Sequence, residues 1–432
     1  MSVESSEGPS RVALDPLHES FLPQEHALYR PRHSPRQRTA LITAVVYLCL
    51  PALLLVVGVR PEEFENRRLA AFPSGWDLFT GLDEWAADHL PFRKEAVEAS
   101  GAISRGVFGE QPRFDRRPTE VAGPVQTQPK DPSLDRPDPT SYVEVLEGKD
   151  DWLYLGGDVK GACSPKTPTD DVLDRLARLR TAVEASGRKF VLVVAPSKTT
   201  VVTEYLPAKY YGKECLTKAR DHFWAGVDDK RVDAIDLRDD LAAEAKRLGH
   251  PVYTKNDTHW NHDGALVMIR AVADAVRPGT TRTWQVDPAR KIDREGDLAR
   301  LLGRTASDQY QAYDLKPDGS TVCSRPVTGD ERKPQRFTQA RVPGVVEAKV
   351  GWIGDSFTFA APSYLVAGYT DVTVQHVSGV TADAGQVARM LADTDVVVVE
   401  AAERNLLDGT NPILTPAVLD AIGGELAKKP RR

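Results

Sequence analysis

The sequence is poor in sulfur and modest in aromatic residues, with four cysteines, three methionines and 7% Phe, Trp and Tyr in 432 residues. Four scattered cysteines without a Cys-x-x-Cys pair or zinc-like spacing exclude a small disulfide scaffold, a thioredoxin-type redox centre and a zinc ribbon. Excess positive charge is also lacking. The formal net charge is −6 and no basic stripe is interleaved with aromatics, so nucleic acid is excluded as a partner. Repeats and low-complexity tracts are absent after Ser141. Long apolar runs are missing too, with one exception.

That exception is Ala40 to Val59, which carries no charged residue and is long enough as a helix to cross a hydrocarbon core of roughly 30 Å. Pro51 in its middle would kink it, which membrane helices tolerate. A cleaved signal peptide is the competing reading, but the run is long for one and no A-x-A site follows. Residues 39–59 are therefore assigned as a single transmembrane helix. Arg30, Arg32, Arg36 and Arg38 precede it, against Arg60, Arg67 and Arg68 after it, a slight bias that puts the N-terminus in the cytoplasm. The remainder then faces outward, anchored to the cell membrane.

Cys49 falls inside the span, while Cys163, Cys215 and Cys323 would meet an oxidising space. One disulfide is expected with one thiol left over. Cys163 with Cys215 is favoured because both lie in polar loops beside the first βα unit, although the sequence leaves the connectivity open.

Five segments follow from composition. Residues 1–38 mix proline, charge and serine without periodicity and read as a disordered cytoplasmic tail ahead of the 39–59 span. Residues 60–110 hold two short amphipathic helices, with Leu82, Trp85 and Ala86 as a candidate buried face. Residues 111–140 are a Pro-rich linker. Residues 141–432 are an α/β domain, opening with strand-like Val143 to Asp158 around a Gly-Lys-Asp-Asp turn. Thr167-Pro168-Thr169-Asp170 starts a helix with a capping residue, a proline at the first helical position and early acidic groups; the helix carries Leu173, Leu176, Leu179 and Val183 on one apolar face and ends at Gly187. Strands are expected at Phe190–Ala195, Ala234–Leu237, Val345–Ile353, Val372–Val377 and Val396–Val399, with helices at 241–248, 264–276 and 384–391 between them. Continuous valine-rich runs of this kind suit a parallel sheet covered by helices on both faces. Pro278 to Pro343 shows little pattern and is expected to cover part of the site.

The chain is organised around Gly351 to Thr358, GWIGDSFT, where an apolar strand stops at Gly354 and presents Ser356. A serine hydroxyl is a weak nucleophile until a base takes its proton, and that base needs a partner to hold its tautomer. Asn256 to Asp263, NDTHWNHD, offers the pair. Asp257 can reach the Nδ1–H of His259, leaving Nε2 for Ser356. Each motif alone also suits an ordinary turn. The same block allows a metal reading through Asp257, His259, His262 and Asp263, but no further His or Cys cluster completes such a site, and no metal or cofactor is assigned.

Gly-Asp-Ser-Phe after a strand, Asp-Thr-His-Trp-Asn upstream of it and a strand ending in Ala195-Pro196-Ser197-Lys198 resemble the AlgJ/AlgX-like polysaccharide O-acetyltransferase family, whose domain is SGNH-hydrolase-like and of DHHW type. Glu65-Asn66-Arg67 with Leu69 and Pro73, Leu90-Pro91-Phe92-Arg93, and the pair Glu403 and Arg404 extend the resemblance. It implies an SGNH-hydrolase-like sheet with the Asp-x-His block placed before the serine block, a circularly permuted order. It also implies acetyl transfer to an extracytoplasmic polysaccharide, with a multi-pass membrane O-acyltransferase as the partner that relays the acetyl group. A carbohydrate acetylesterase with the same triad, and a polysaccharide-binding protein without catalysis, are the alternatives.

The expected catalytic residues are Ser356 as nucleophile, His259 as base and Asp257 as its orienting carboxylate, with the backbone N–H of Ser356 in the oxyanion hole. The glycine and asparagine donors of ordinary SGNH enzymes have no counterpart that can be placed. Lys198, at a strand's carboxyl end, either approaches a substrate group or is a solvated loop lysine. Trp260 either walls a sugar or packs in the core. Arg404 either braces a loop or pairs near the site.

Overall fold

The computed structural model describes residues 21–23, 25–26, 35–59, 71–75, 78–92, 142–229, 232–360 and 362–431, with isolated positions between 95 and 103. Most of the expected tail, the Glu65-Asn66-Arg67 segment and the 111–140 linker lie outside them. The chain divides into an N-terminal unit, residues 1–63 and 68–93, and a large unit of residues 94–432 with 64–67.

In the N-terminal unit a helix runs Pro35–Val56 with Pro51 inside it. Its Gln37–Leu55 stretch is long and apolar enough to cross a membrane. A second helix, Leu78–Asp88, carries Trp85, which meets Phe72 edge-on at 5.1 Å between ring centroids and stacks on His89 at 4.6 Å. Leu82 and Ala86 are exposed, so the apolar face expected there is not a buried one.

In the large unit β1 (Val145–Glu147) and β2 (Leu153–Leu155) form a small hairpin, followed by a helix at Gly156–Cys163. Cys163 at that helix's end is disulfide-bonded to Cys215, with 5.6 Å between their Cα atoms. The central sheet is built from β3 (Lys189–Ala195), β4 (Ala234–Asp236), β7 (Gln335–Thr338), β8 (Val346–Gly354), β9 (Tyr369–His376) and β10 (Val396–Ala402). Their spatial order is β4-β3-β10-β8-β9-β7. The five strands from β4 to β9 are parallel neighbours, whereas β7 joins β9 antiparallel at the edge. The sheet is thus mixed rather than parallel throughout. Edge strand β7 forms no βαβ crossover, so nothing constrains it to run with its neighbour.

β10, VVVVEAA, is buried along its whole length because it lies between β3 and β8 with helices over the sheet. Helices Thr169–Ala185, Ala384–Ala392 and Pro416–Lys428 pack together, and Arg238–Leu248 packs on His262–Val276. The stripe Leu173, Leu176, Leu179 and Val183 is at most 1% exposed. At roughly 1.5–3 kcal/mol per buried side chain, such stripes dominate helix docking. The region that lacked a pattern holds β5 (Gln285–Glu295) and β6 (Ser307–Lys316), a separate antiparallel pair. β5 is largely exposed and β6 mostly half-buried, so neither strand carried a clean apolar alternation to read.

Register sets the site. Ala402 pairs with Ala195, and Val399 pairs with Ile353, so β3, β8 and β10 all end along one edge of the sheet. Loops after the carboxyl ends of parallel strands converge there, the usual place for a ligand in an open α/β sheet.

Candidate active site

At the end of β8 the chain makes a tight step. A Cβ on Gly354 would come within 2.2 Å of Thr358 Oγ1, so only glycine permits this approach. Asp355 caps the short helix Ser356–Phe359, its carboxylate accepting the Phe357 N–H at 3.0 Å. The other oxygen of Asp355 accepts the Ala402 N–H at 2.8 Å and the Asn405 amide at 3.1 Å, tying the turn to the end of β10. Glu400 closes the turn from below, accepting the Asp355 N–H and the Thr358 hydroxyl, each at 2.9 Å. Burial, then the charge of Asp355, pushes the Glu400 carboxyl well above its ordinary range. Ser356 is held at the first position of this braced turn.

The Asp-x-His block arrives on a second loop. Tyr253 and Trp260 form a β-bridge, and the Asn261 N–H donates to Val252 O at 2.9 Å. Asn261 then caps the His262–Val276 helix by accepting from the Asp263 and Gly264 N–H groups. Within the loop that the bridge closes lie Asp257 and His259, with His259 facing Ser356. Asp257 Oδ1 lies 2.6 Å from His259 Nδ1 and also accepts the His259 N–H at 2.9 Å. His259 Nε2 lies 2.8 Å from Ser356 Oγ. With Nδ1–H donating to Asp257, Nε2 is the acceptor of the serine proton. Burial opposes ionisation of Asp257, but the hydrogen bonds and charge of His259 outweigh it and hold the carboxyl below its usual range.

Arg404 is the second residue of the helix Glu403–Leu407 that follows β10. Its Nη2 is 3.4 Å from Ser356 Oγ, and its guanidinium lies 5.0 Å from the centroid of the Phe357 ring. The adjoining Glu403 is the brace: buried, it accepts the Ser197 N–H, the Thr200 hydroxyl and the Trp224 indole N–H.

Lys198 takes a different place from either reading of the sequence. It is 1% exposed and donates to Lys255 O and Asp257 O, both at 2.9 Å, so it holds the Asp257 loop from beneath and does not face solvent. Trp152 and Tyr154 place their rings 5.0 and 5.3 Å from its ammonium. Burial lowers its pKa to about 7, against the raising influence of nearby carboxylates. Trp260 is also buried, at 3%, with its indole N–H on Phe357 O at 3.1 Å and its ring edge-on to Phe357. It takes the core-packing reading, and no open face is left for a sugar.

Asp257, His259 and Asp297 bring three potential metal-ligand atoms within 4.8 Å of one another. His262 and Asp263, the other members of the metal reading, are engaged elsewhere, by the hydroxyls of Tyr364 and Tyr313. Sequence reasoning passed over Asp297, Glu400 and Asp158. Glu400 interrupts an otherwise apolar strand, VVVVEAA, and that interruption was the available signal. Asp158, 2% exposed, accepts the Thr199 hydroxyl at 3.0 Å. Burial raises its pKa to about 6 despite the opposing charge of Arg404.

A sheet whose strand ends carry a Gly-Asp-Ser turn beside an Asp-x-His loop defines the SGNH-hydrolase-like class of α/β domains. A family model described as the SGNH hydrolase-like domain of acetyltransferase AlgX matches residues 145–393, and the chain belongs to that family. Among curated relatives, a probable alginate O-acetylase AlgJ of Pseudomonas putida is 29% identical over 167 residues, which is 37% of this chain and 42% of that protein. The corresponding protein of Pseudomonas syringae pv. tomato is 31% identical over 167 residues, with 37% and 41% covered. The chain thus matches less than half the length of these relatives. Similar solved structures include the O-acetyltransferase domain of Pseudomonas putida AlgJ, with TM-score 0.45, 21% identity, and 65% of this chain and 98% of that one covered. Bacillus cereus PatB1 matches with TM-score 0.40 and 14% identity, over 61% and 96%.

Proposed function

We propose that this protein is a membrane-anchored, extracytoplasmic O-acetyltransferase acting on a cell-surface or secreted polysaccharide through a Ser-His-Asp acyl-enzyme. The observation that carries the reading is the unbroken chain of contacts from Ser356 Oγ through His259 to Asp257. Membership of the AlgX-type acetyltransferase family, and the alginate O-acetylase names of the curated relatives, supply the acetyl group and the polysaccharide.

Ser356 attacks the acetyl carbonyl while His259 takes its proton. The tetrahedral intermediate collapses as His259 returns that proton to the leaving group. A sugar hydroxyl then gives its proton to His259, attacks the acetyl-serine ester, and leaves as the O-acetyl sugar with Ser356 restored. Asp257 keeps the imidazole in the required tautomer. The Ser356 N–H and Arg404 are the donors for the developing oxyanion. The arginine fills the role for which no glycine or asparagine donor was found, and loss of such a donor costs about 10²–10³ in rate. Residues 141–432 form the catalytic domain, carried on the 39–59 span through the 60–110 segment and the 111–140 linker. The acetyl group comes from a multi-pass membrane O-acyltransferase.

Incubation with an activated acetyl ester followed by intact-mass measurement tests the chemistry. One added acetyl group is expected on the wild type and none on Ser356→Ala, with His259→Ala slowed by several powers of ten while it stays folded. An unlabelled wild type, or equal labelling of Ser356→Ala, refutes the acyl-enzyme. Adding polysaccharide must move acetyl to sugar. Release to water alone assigns the protein as an esterase.

A further inference from the structure

The catalytic Asp257 and His259 sit on a loop whose outer side is gripped by residues 296–299, a segment to which neither the triad nor the family match assigns a role. Asp297 N–H donates to Asp257 Oδ2 at 3.3 Å. Its carboxylate accepts the Thr258 N–H at 2.8 Å and the Thr258 hydroxyl. The next two N–H groups, of Leu298 and Ala299, both donate to Asn256 O, at 3.1 and 3.3 Å. A Cβ on Gly296 would stand 2.1 Å from that same Asn256 oxygen, so the approach requires glycine. The grip is rigid from behind: Leu298 and Ala299 are fully buried with Val145 and Leu153 of the opening hairpin.

The second carboxylate also reaches the base. Asp297 Oδ2 lies 3.8 Å from His259 Nδ1, on the same side of the ring as Asp257. We propose that Asp297 is a positioning residue of the acyl-transfer site: it locks the Asp257-Thr258-His259 turn and places a second negative charge beside His259 when the imidazole takes the serine proton. Opposite charge close to a protonating group favours its charged form. The other charged groups around the turn are Lys198 beneath it, Arg294 and Asp308 on β5 and β6, and Arg404 across Ser356. This inference rests on the Ser-His-Asp reading of the site.

The test uses the full-length protein in detergent with a chromogenic acetyl ester, comparing wild type, Ser356→Ala, Asp297→Asn and Asp297→Ala. Asparagine keeps an acceptor for the Thr258 N–H and removes the charge. For Asp297→Asn, kcat is expected to fall about tenfold with KM little changed, and the acidic limb of the pH profile to move to lower pH, because the protonated imidazole loses a neighbouring carboxylate. Asp297→Ala, which loses the lock as well, should fall about a further tenfold. Unfolding midpoints confirm that the variants are folded. An Asp297→Asn enzyme that is folded and keeps the wild-type pH limb overturns the proposal, while the acyl-enzyme stands if Ser356→Ala is inactive. Turnover by Ser356→Ala overturns both.

Discussion

Lys198 offers the sharpest quantitative handle on how the site is held. Its ammonium is enclosed by Trp152 and Tyr154 and spends its hydrogen bonds on two carbonyls of the loop that carries Asp257 and His259. Burial lowers its pKa from 10.5 to about 7. The folded protein therefore releases the lysine proton near neutrality, whereas the unfolded chain keeps it until near pH 10.5. Below pH 7 both states hold the proton and the full cost of burying the charge is present. From pH 7 upward the unfolded state binds more protons, so stability rises with pH, by about 2 kcal/mol between pH 7 and 9. Lys198→Met removes the titration. Chemical denaturation of wild type and variant at pH 7, 8 and 9, followed by tryptophan fluorescence, should give curves that separate by about this amount, the wild type gaining relative to the variant. The variant also strands the Lys255 and Asp257 carbonyls, at about 1–3 kcal/mol for each unpaired buried acceptor. Esterase turnover should fall with it, because the carbonyl that anchors Asp257 is freed. Parallel stability curves across that pH range, or full turnover in Lys198→Met, would refute the reasoning.

Asp158 is the converse case. Burial raises its pKa from 3.8 to about 6, so its contribution is favourable below pH 4 and is lost as pH rises through 6, a change of about 3 kcal/mol. Asp158→Asn should therefore be more stable than wild type at pH 7.5, with the advantage shrinking toward pH 4, as read from denaturation midpoints. A variant less stable at pH 7.5 than at pH 4, relative to wild type, contradicts this. Orientation is tested by a reporter active only in the cytoplasm, fused after Arg432: a silent fusion is expected, and a strong signal reverses the topology.

Much of the sheet was visible in advance because its strands are uniform. Phe190 to Ala195 and Val396 to Val399 are continuous apolar runs, and β3 and β10 occupy them with small extensions at their ends. The 285–316 arm was not visible. β5 is mostly exposed and β6 mostly half-buried, so their pairing is decided by partner contacts that leave no period in the sequence. Leu82 and Ala86 show the reverse error: helical spacing of apolar residues was present, yet they are exposed. Periodicity states what a helix could bury, and only a packed neighbour determines whether it does.

The chemistry divides in the same way. That Ser356, His259 and Asp257 could meet was legible in the sequence because the proposed acyl transfer would need those residue types in recognisable local settings, a strand end and an Asp-x-His turn. The spacing within each motif is local and survives in one dimension. Lys198, Trp260, Arg404 and Asp297 carry no such local signature. A lysine at a strand end is compatible with solvent, substrate or a buried carbonyl clamp, and burial chose the last. Trp260 was assigned to the core by Phe357, far along the chain. Arg404 reaches Ser356 because β8 and β10 are adjacent and end together, and Asp297 reaches His259 because Gly296 lets its segment close on Asn256. Sequence alone determined which groups could do acyl chemistry. The tertiary structure decided which others hold them, since those contacts join residues that only strand order and backbone approach bring together.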